Sequence, residues 1–201
     1  MFIWKNIFYV IVEASVEVFI FHFINERQFK FTSKKKLIIL LFFIYYYIIM
    51  ADYKLITQKI DTYISSEQDL YANLSNIAAI LYENIHDINW LGFYLCQADD
   101  LVLGPFQGKA AVSRIKIPNG VCGMAAHSKT TILVDDVLNF EGHITCDCLS
   151  KSEIVIPFLV DNKSVAVLDI DSPLLARFTE QDKYELEKIV SKLEKQLKFS
   201  H

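Results

Sequence analysis

Two apolar runs, residues 153–160 and 164–171, are separated only by Asp161-Asn162-Lys163. Asp and Asn tolerate the left-handed backbone that a tight reversal needs, so this stretch predicts an antiparallel hairpin. Further β-like runs cover residues 89–97, 101–106, 110–117 and 131–134, with Ala98-Asp99-Asp100 turning between the first two and Pro118-Asn119-Gly120 breaking the series. Helical patterns bracket these strands. Ser66-x-x-Asp69 resembles a capping box, and Leu70, Leu74, Ile77, Ala78, Leu81 and Ile85 follow at helical spacing. Thr179-x-x-Asp182 opens a final helix with Leu186, Ile189, Val190, Leu193 and Leu197 on one face. Residues 120–128, rich in Gly and Ala, read as a short helix with Cys122 in its first turn. Consecutive strands flanked by helices at both ends predict an α+β fold.

The first 49 residues differ in kind from the rest. They contain no Gly and no Pro, hold nine of the fifteen Phe, and carry +3, leaving −7 on residues 50–201. Their longest apolar run, residues 37–51, is shorter than the roughly 20 residues that a membrane span needs, and no small-x-small cleavage site follows it. Two readings stand for this leader: a hydrophobic anchor that exports the body, or upstream sequence included by a mis-set start. The latter is favoured, with translation beginning at Met50 and a domain over residues 50–201. A cytoplasmic protein follows, the alternative being one anchored to a membrane through residues 1–49. The acidic body argues against nucleic acid as a partner.

Chemistry concentrates near one segment. Gly142-His143-Ile144-Thr145-Cys146-Asp147 is followed by Glu153 and later by Asp169-Ile170-Asp171. A thiol that attacks an oxidised sulfur must be ionised, and the departing oxygen needs a proton from an acid. An anion can hold the ammonium group of a zwitterionic substrate. On a lone strand, however, Asp169 and Asp171 read as a solvated face, and Trp90, Phe93 and Tyr94 as packing. Cys96, among apolar neighbours, reads as a buried structural thiol. Four cysteines in a chain this long and apolar do not call for disulfide staples. Cys146-x-Cys148 with His143 forms part of a zinc pattern, but the repeated Cys pair of such sites is missing, so no metal is expected.

Six motifs occur in a familiar order: Asn89-Trp90-Leu91-Gly92-Phe93-Tyr94, Leu103-Gly104-Pro105-Phe106-Gln107-Gly108-Lys109, Gly120-Val121-Cys122-Gly123, the Cys146 segment, Ser152-Glu153-Ile154-Val155-Ile156-Pro157 and Leu168-Asp169-Ile170-Asp171-Ser172. Together they resemble the free methionine-(R)-sulfoxide reductases, which are single GAF domains, over about residues 52–197. The resemblance implies a central antiparallel sheet of about six strands, with helices on one face and the site on the other. It implies Cys146 as the catalytic thiol, with Glu153 and Asp171 as candidate acids. Glu153, Asp169 and Asp171 would line the substrate pocket, with Trp90 and Tyr94 as its aromatic wall. It further implies no bound cofactor, thioredoxin as external reductant, and a homodimer.

The chain departs from that family at one place. Many members have a resolving cysteine just after the Gly-Lys pair, where this chain has Val112. Cys122 is then the first candidate for the resolving thiol and Cys148 the second, direct reduction of a Cys146 sulfenic acid being a third route. The rival reading is a non-catalytic GAF sensor that binds a small ligand, for which this set of thiol and carboxylates is not required.

Overall fold

The computed structural model describes residues 51–142, 144 and 148–199. The leader with Met50, His143 and the Thr145-Cys146-Asp147 stretch therefore lie outside the described residues. Among those described, six strands form one antiparallel sheet: β1 (Trp90–Gln97), β2 (Asp100–Gln107), β3 (Arg114–Lys116), β4 (Ile132–Val134), β5 (Ser152–Val160) and β6 (Lys163–Ser172), in the order β3-β2-β1-β6-β5-β4. The β5–β6 hairpin closes through Asp161 and Asn162 at φ 50° and 59°, with Val160 paired to Lys163. Two successive positive φ values match the right-handed twist of the flanking strands, which is why this dipeptide makes the turn.

Four helices accompany the sheet: α1 (Tyr53–Ile64), α2 (Leu70–Asn84), α3 (Gly120–Ser128) and α4 (Glu180–Gln196). The α1 stripe of Tyr53, Ile56, Ile60 and Ile64 is buried, as are Leu74, Ile77 and Leu81 of α2 and Leu186, Ile189 and Leu193 of α4. These side chains meet Leu91, Phe93 and Leu95 of β1, Ile154, Ile156 and Phe158 of β5, and Ala166, Leu168 and Ile170 of β6 in one core. Phe93 and Phe158 touch edge to face at 5.9 Å. Burying one such ring contributes about 1.5–3 kcal/mol, so this face supplies most of the driving force. No helix among the described residues is long and apolar enough to cross a membrane.

Several expectations change. Helix α1 has no counterpart in the sequence reading, although its apolar residues recur at helical spacing. The α2 cap is Asp69, whose carboxylate accepts from the Ala72 amide, and not Ser66, so the helix begins one turn later than the capping-box pattern suggests. Only residues 114–116 of the run 110–117 form a strand. The helices do not all share one face: α3 packs through Val121, Cys122, Ala125 and Ala126 against Trp90, Tyr94, Val155 and Val167 on the opposite side. Ser164 fixes it there by donating from its hydroxyl to the Ala126 carbonyl at 2.6 Å.

Candidate active site

Alternation along three neighbouring strands places the acids and the aromatics together. Trp90 on β1 lies opposite Asp171 on β6, Gly92 opposite Asp169 and Tyr94 opposite Val167. On the far side of β6, Glu153 of β5 lies opposite Asp171 and Val155 opposite Asp169. Even-numbered β5 and β6 residues fill the helical core, so Glu153, Asp169 and Asp171 all project to the α3 side. Asp169 and Asp171 are buried, which corrects the reading of a solvated face.

The thiol of Cys122 completes this group. Its Sγ, a Glu153 carboxyl oxygen and an Asp169 carboxyl oxygen lie within 4.8 Å of one another. Three elements thus converge on one point: the first turn of α3 brings the sulfur, β5 and β6 the acids. Burial is the largest cause that pushes the Glu153 carboxyl well above its ordinary 4.5. The Asp171 charge raises it further, and a side-chain hydrogen bond with Asp169 opposes the shift. Glu153 therefore holds its proton at a pH where an exposed glutamate has lost it. Cys122, Glu153 and Asp169 are also the described residues whose donor atoms come close enough to hold a metal ion. A soft sulfur with two hard carboxylates is a mixed set that selects no single ion.

Aromatic side chains wall the site and also hold its loop. The Trp90 indole stacks on Phe106 at 5.5 Å and on Tyr94 at 6.0 Å. Its Nε1 donates to the Lys109 carbonyl at 3.0 Å, and the Tyr94 hydroxyl donates to the Val112 carbonyl at 2.9 Å. Two glycines make room for the indole. A Cβ on Gly92 would come within 2.6 Å of the Trp90 ring, and one on Gly108 within 2.7 Å, where φ is also +125°. Residues 109–113 are thereby drawn over Trp90 and Tyr94 and out of the expected strand. Phe93 points into the helical core, as its alternation requires.

Cys146 and His143 lie outside the described residues. Ile144, between them, packs against Gly120, where a Cβ would meet its side chain at 3.2 Å. Cys148 is exposed, whereas Cys122 is only 3% exposed. Cys96 is half-buried and not the fully buried thiol expected, and burial pushes it up to about 11. Sequence reasoning missed Phe106, the carbonyls of Lys109 and Val112, and Asn89, whose Nδ2 donates to the Ser150 hydroxyl at 3.1 Å while its amide donates to the Asp171 carbonyl at 3.0 Å. Backbone carbonyls carry no residue signature, but the Asn89-Trp90 pair and Gly108 marked where to look.

No family model matches the chain. It is 46% identical over 145 residues to the free methionine-R-sulfoxide reductase of Escherichia coli (strain K12), spanning 72% of this chain and 88% of that protein. The structure of the Staphylococcus aureus fRMsr in complex with its substrate shares 47% identity and superposes with a TM-score of 0.70, over 74% of this chain and 97% of the other. A solved GAF domain shares 38% identity at a TM-score of 0.70, over 73% and 88% of the two chains. With a fold, a register of acids and a level of identity that agree, the chain belongs to the free methionine-R-sulfoxide reductase family and is built as a GAF domain.

Proposed function

We propose that this chain reduces free L-methionine-(R)-sulfoxide to L-methionine. The observation that carries the reading is the buried set of Glu153, Asp169 and Asp171 on the face walled by Trp90 and Tyr94. Buried carboxylates discriminate for a substrate ammonium, because an analogue without one leaves them uncompensated. A free amino acid has that group, and a residue within a peptide does not. The stacked rings offer an apolar surface to the sulfur end of the ligand.

The reaction then runs as follows. The Cys146 thiolate attacks the sulfoxide sulfur, and Glu153, held protonated by burial, donates to the oxygen, with Asp171 the other candidate for that role. Oxygen passes to Cys146 as a sulfenic acid and methionine leaves, the sulfoxide gaining the two electrons that the cysteine loses. A second thiol, Cys122 or Cys148, condenses with the sulfenic acid and releases water. A thioredoxin-type dithiol reduces the resulting disulfide by exchange. The chain carries no bound cofactor in this scheme and works as a homodimer in the cytoplasm, with a membrane location only if residues 1–49 anchor it.

NADPH consumption with thioredoxin, thioredoxin reductase and free methionine-R-sulfoxide tests the reading. Cys146→Ser abolishes turnover, and Glu153→Gln lowers kcat by about 10²–10⁴-fold. The N-acetylated sulfoxide is rejected by about 10⁴-fold in kcat/KM. Reduced protein that leaves the free sulfoxide untouched overturns the assignment. Full turnover in both Glu153→Gln and Asp171→Asn removes the acid-catalysis step.

A further inference from the structure

The apolar face of the β5–β6 hairpin changes character at the end that carries the acids. Ile154, Ile156 and Phe158 of β5 and Ala166, Leu168 and Ile170 of β6 belong to the helical core. One step beyond the Glu153–Asp171 pair, Ser152 and Ser172 lie opposite each other, and both are fully buried. A buried hydroxyl needs partners to offset its lost hydration, and each of these finds two in the backbone. Ser152 donates to the Leu174 carbonyl at 2.7 Å and accepts from the Arg177 amide at 3.3 Å. Ser172 donates to the Asp87 carbonyl at 2.6 Å and accepts from the Leu174 amide at 3.1 Å. The N–H and the C=O of Leu174 are therefore held by different strands, so the loop after β6 closes across the hairpin end as a staple.

Strand ends are where a ladder opens most readily, and here they hold the acids. Glu153 is the second residue of β5, and Asp171 is the last but one of β6. Ser172 also reaches the aromatic wall. Asp87, whose carbonyl takes its hydroxyl, sits at φ 59° in the turn from α2 into β1. Two residues on, the Asn89 amide donates to the Asp171 carbonyl at 3.0 Å, and Trp90 comes next. We propose that Ser152 and Ser172 are positioning residues: through Leu174 and Asp87 their hydroxyls fix the placement of Glu153, Asp171 and Trp90, and with it the preference of the site for a substrate ammonium. The inference rests on the proposed reductase activity but adds residues that the ligand never touches, because alternation turns both serines to the helical side of the sheet. An apolar pair would fill that space with no hydroxyl to satisfy, so packing alone does not call for serine. What the hydroxyls add is direction, since each bond fixes a distance and a line between two strand ends and the loops beneath them.

The test is the ratio of kcat/KM for the free sulfoxide to kcat/KM for its N-acetylated form. Loss of folded protein lowers both alike and leaves the ratio unmoved, whereas displaced acids lose their preference for the ammonium. Ser152→Ala and Ser172→Ala are each expected to lower the ratio by roughly tenfold to a hundredfold, the cost of a misplacement of about 1 Å. Tyr53→Phe, which removes a buried hydrogen bond elsewhere on the helical side, keeps the wild-type ratio. A wild-type ratio in either alanine variant overturns the inference, as does an equal fall in Tyr53→Phe. If the wild type consumes no free sulfoxide, the reductase reading itself has failed. Should an alanine variant not fold, amide exchange in the wild type decides. The Asn89, Lys151 and Leu174 amides donate to the Asp171 carbonyl, the Ser172 carbonyl and the Ser172 hydroxyl, and a single staple opens all three together with one common protection factor. Protection factors that differ among them by more than about tenfold overturn the inference.

Discussion

Glu153 stores a proton because two features of its neighbourhood agree, the exclusion of water and the Asp171 charge directly across the sheet, and together they outweigh a side-chain hydrogen bond with Asp169 that acts the other way. The folded-state value is raised above the ordinary 4.5. Between those two values the native chain retains a proton that the unfolded chain has released, so the sign is fixed. The stability contributed by this group is complete below 4.5 and is lost as pH rises through the folded value. Urea unfolding across that window is expected to show midpoints that decline with pH in the wild type and decline less in Glu153→Gln. A variant with the same slope as the wild type would assign the titration elsewhere. The proton that Glu153 retains above 4.5 is the one the reaction uses, which places the acid where folding alone would not.

At the scale of elements, the loop of residues 109–113 shows how a strand-like sequence is overruled. Its alternation predicts a strand, yet the carbonyls of Lys109 and Val112 accept from Trp90 and Tyr94, so they are not available to a ladder partner. Trp90→Phe keeps an aromatic ring on Phe106 and Tyr94 but removes the donor to Lys109, a loss of about 0.5–1.5 kcal/mol. The expected result is a KM for the sulfoxide raised severalfold with kcat little changed, measured in the coupled assay. A change confined to kcat would mean that the loop positions the reacting atoms and not the ligand. The same contrast explains what the residues disclosed beforehand. The Asp161-Asn162 reversal and the Thr179/Asp182 capping box, whose two reciprocal bonds both form, depend on neighbours in the chain and were legible. The burial of Asp169 and Asp171, the α3 position of Cys122 and the indole slot between Gly92 and Gly108 depend on register between strands far apart in sequence. The resemblance to a family supplied the acids, but their physical grouping required the sheet.

At the scale of the whole molecule, the first and last described helices are tied by two side-chain bonds, Tyr53 to Asp182 and Lys192 to Asp61. Tyr53 at the start of α1 donates to Asp182 Oδ1 of α4 at 2.6 Å, across 129 residues. The other carboxylate oxygen accepts from the Thr179 amide at 2.8 Å, the Thr179 hydroxyl at 2.7 Å and Arg177 Nη1 at 3.4 Å. Burial, followed by the Asp182 charge, pushes the Tyr53 hydroxyl upward, which keeps it a donor throughout the working range. Tyr53→Phe leaves the ring in place and removes only the oxygen, so one buried carboxylate oxygen loses its partner. Hydrogen bonds to charged groups are worth about 1.5–3 kcal/mol, and each kcal/mol shifts Tm by about 2–4 °C in a chain of this size. The variant is therefore expected to melt several degrees lower with an unchanged urea m-value. Its KM for the sulfoxide should not move, because α1 and α4 pack on the sheet face away from Glu153 and Trp90. A Tm equal to the wild type would show that Arg177 and Thr179 alone satisfy Asp182, and that α1 is held by its apolar stripe together with the Asp61–Lys192 and Lys59–Asn84 bonds.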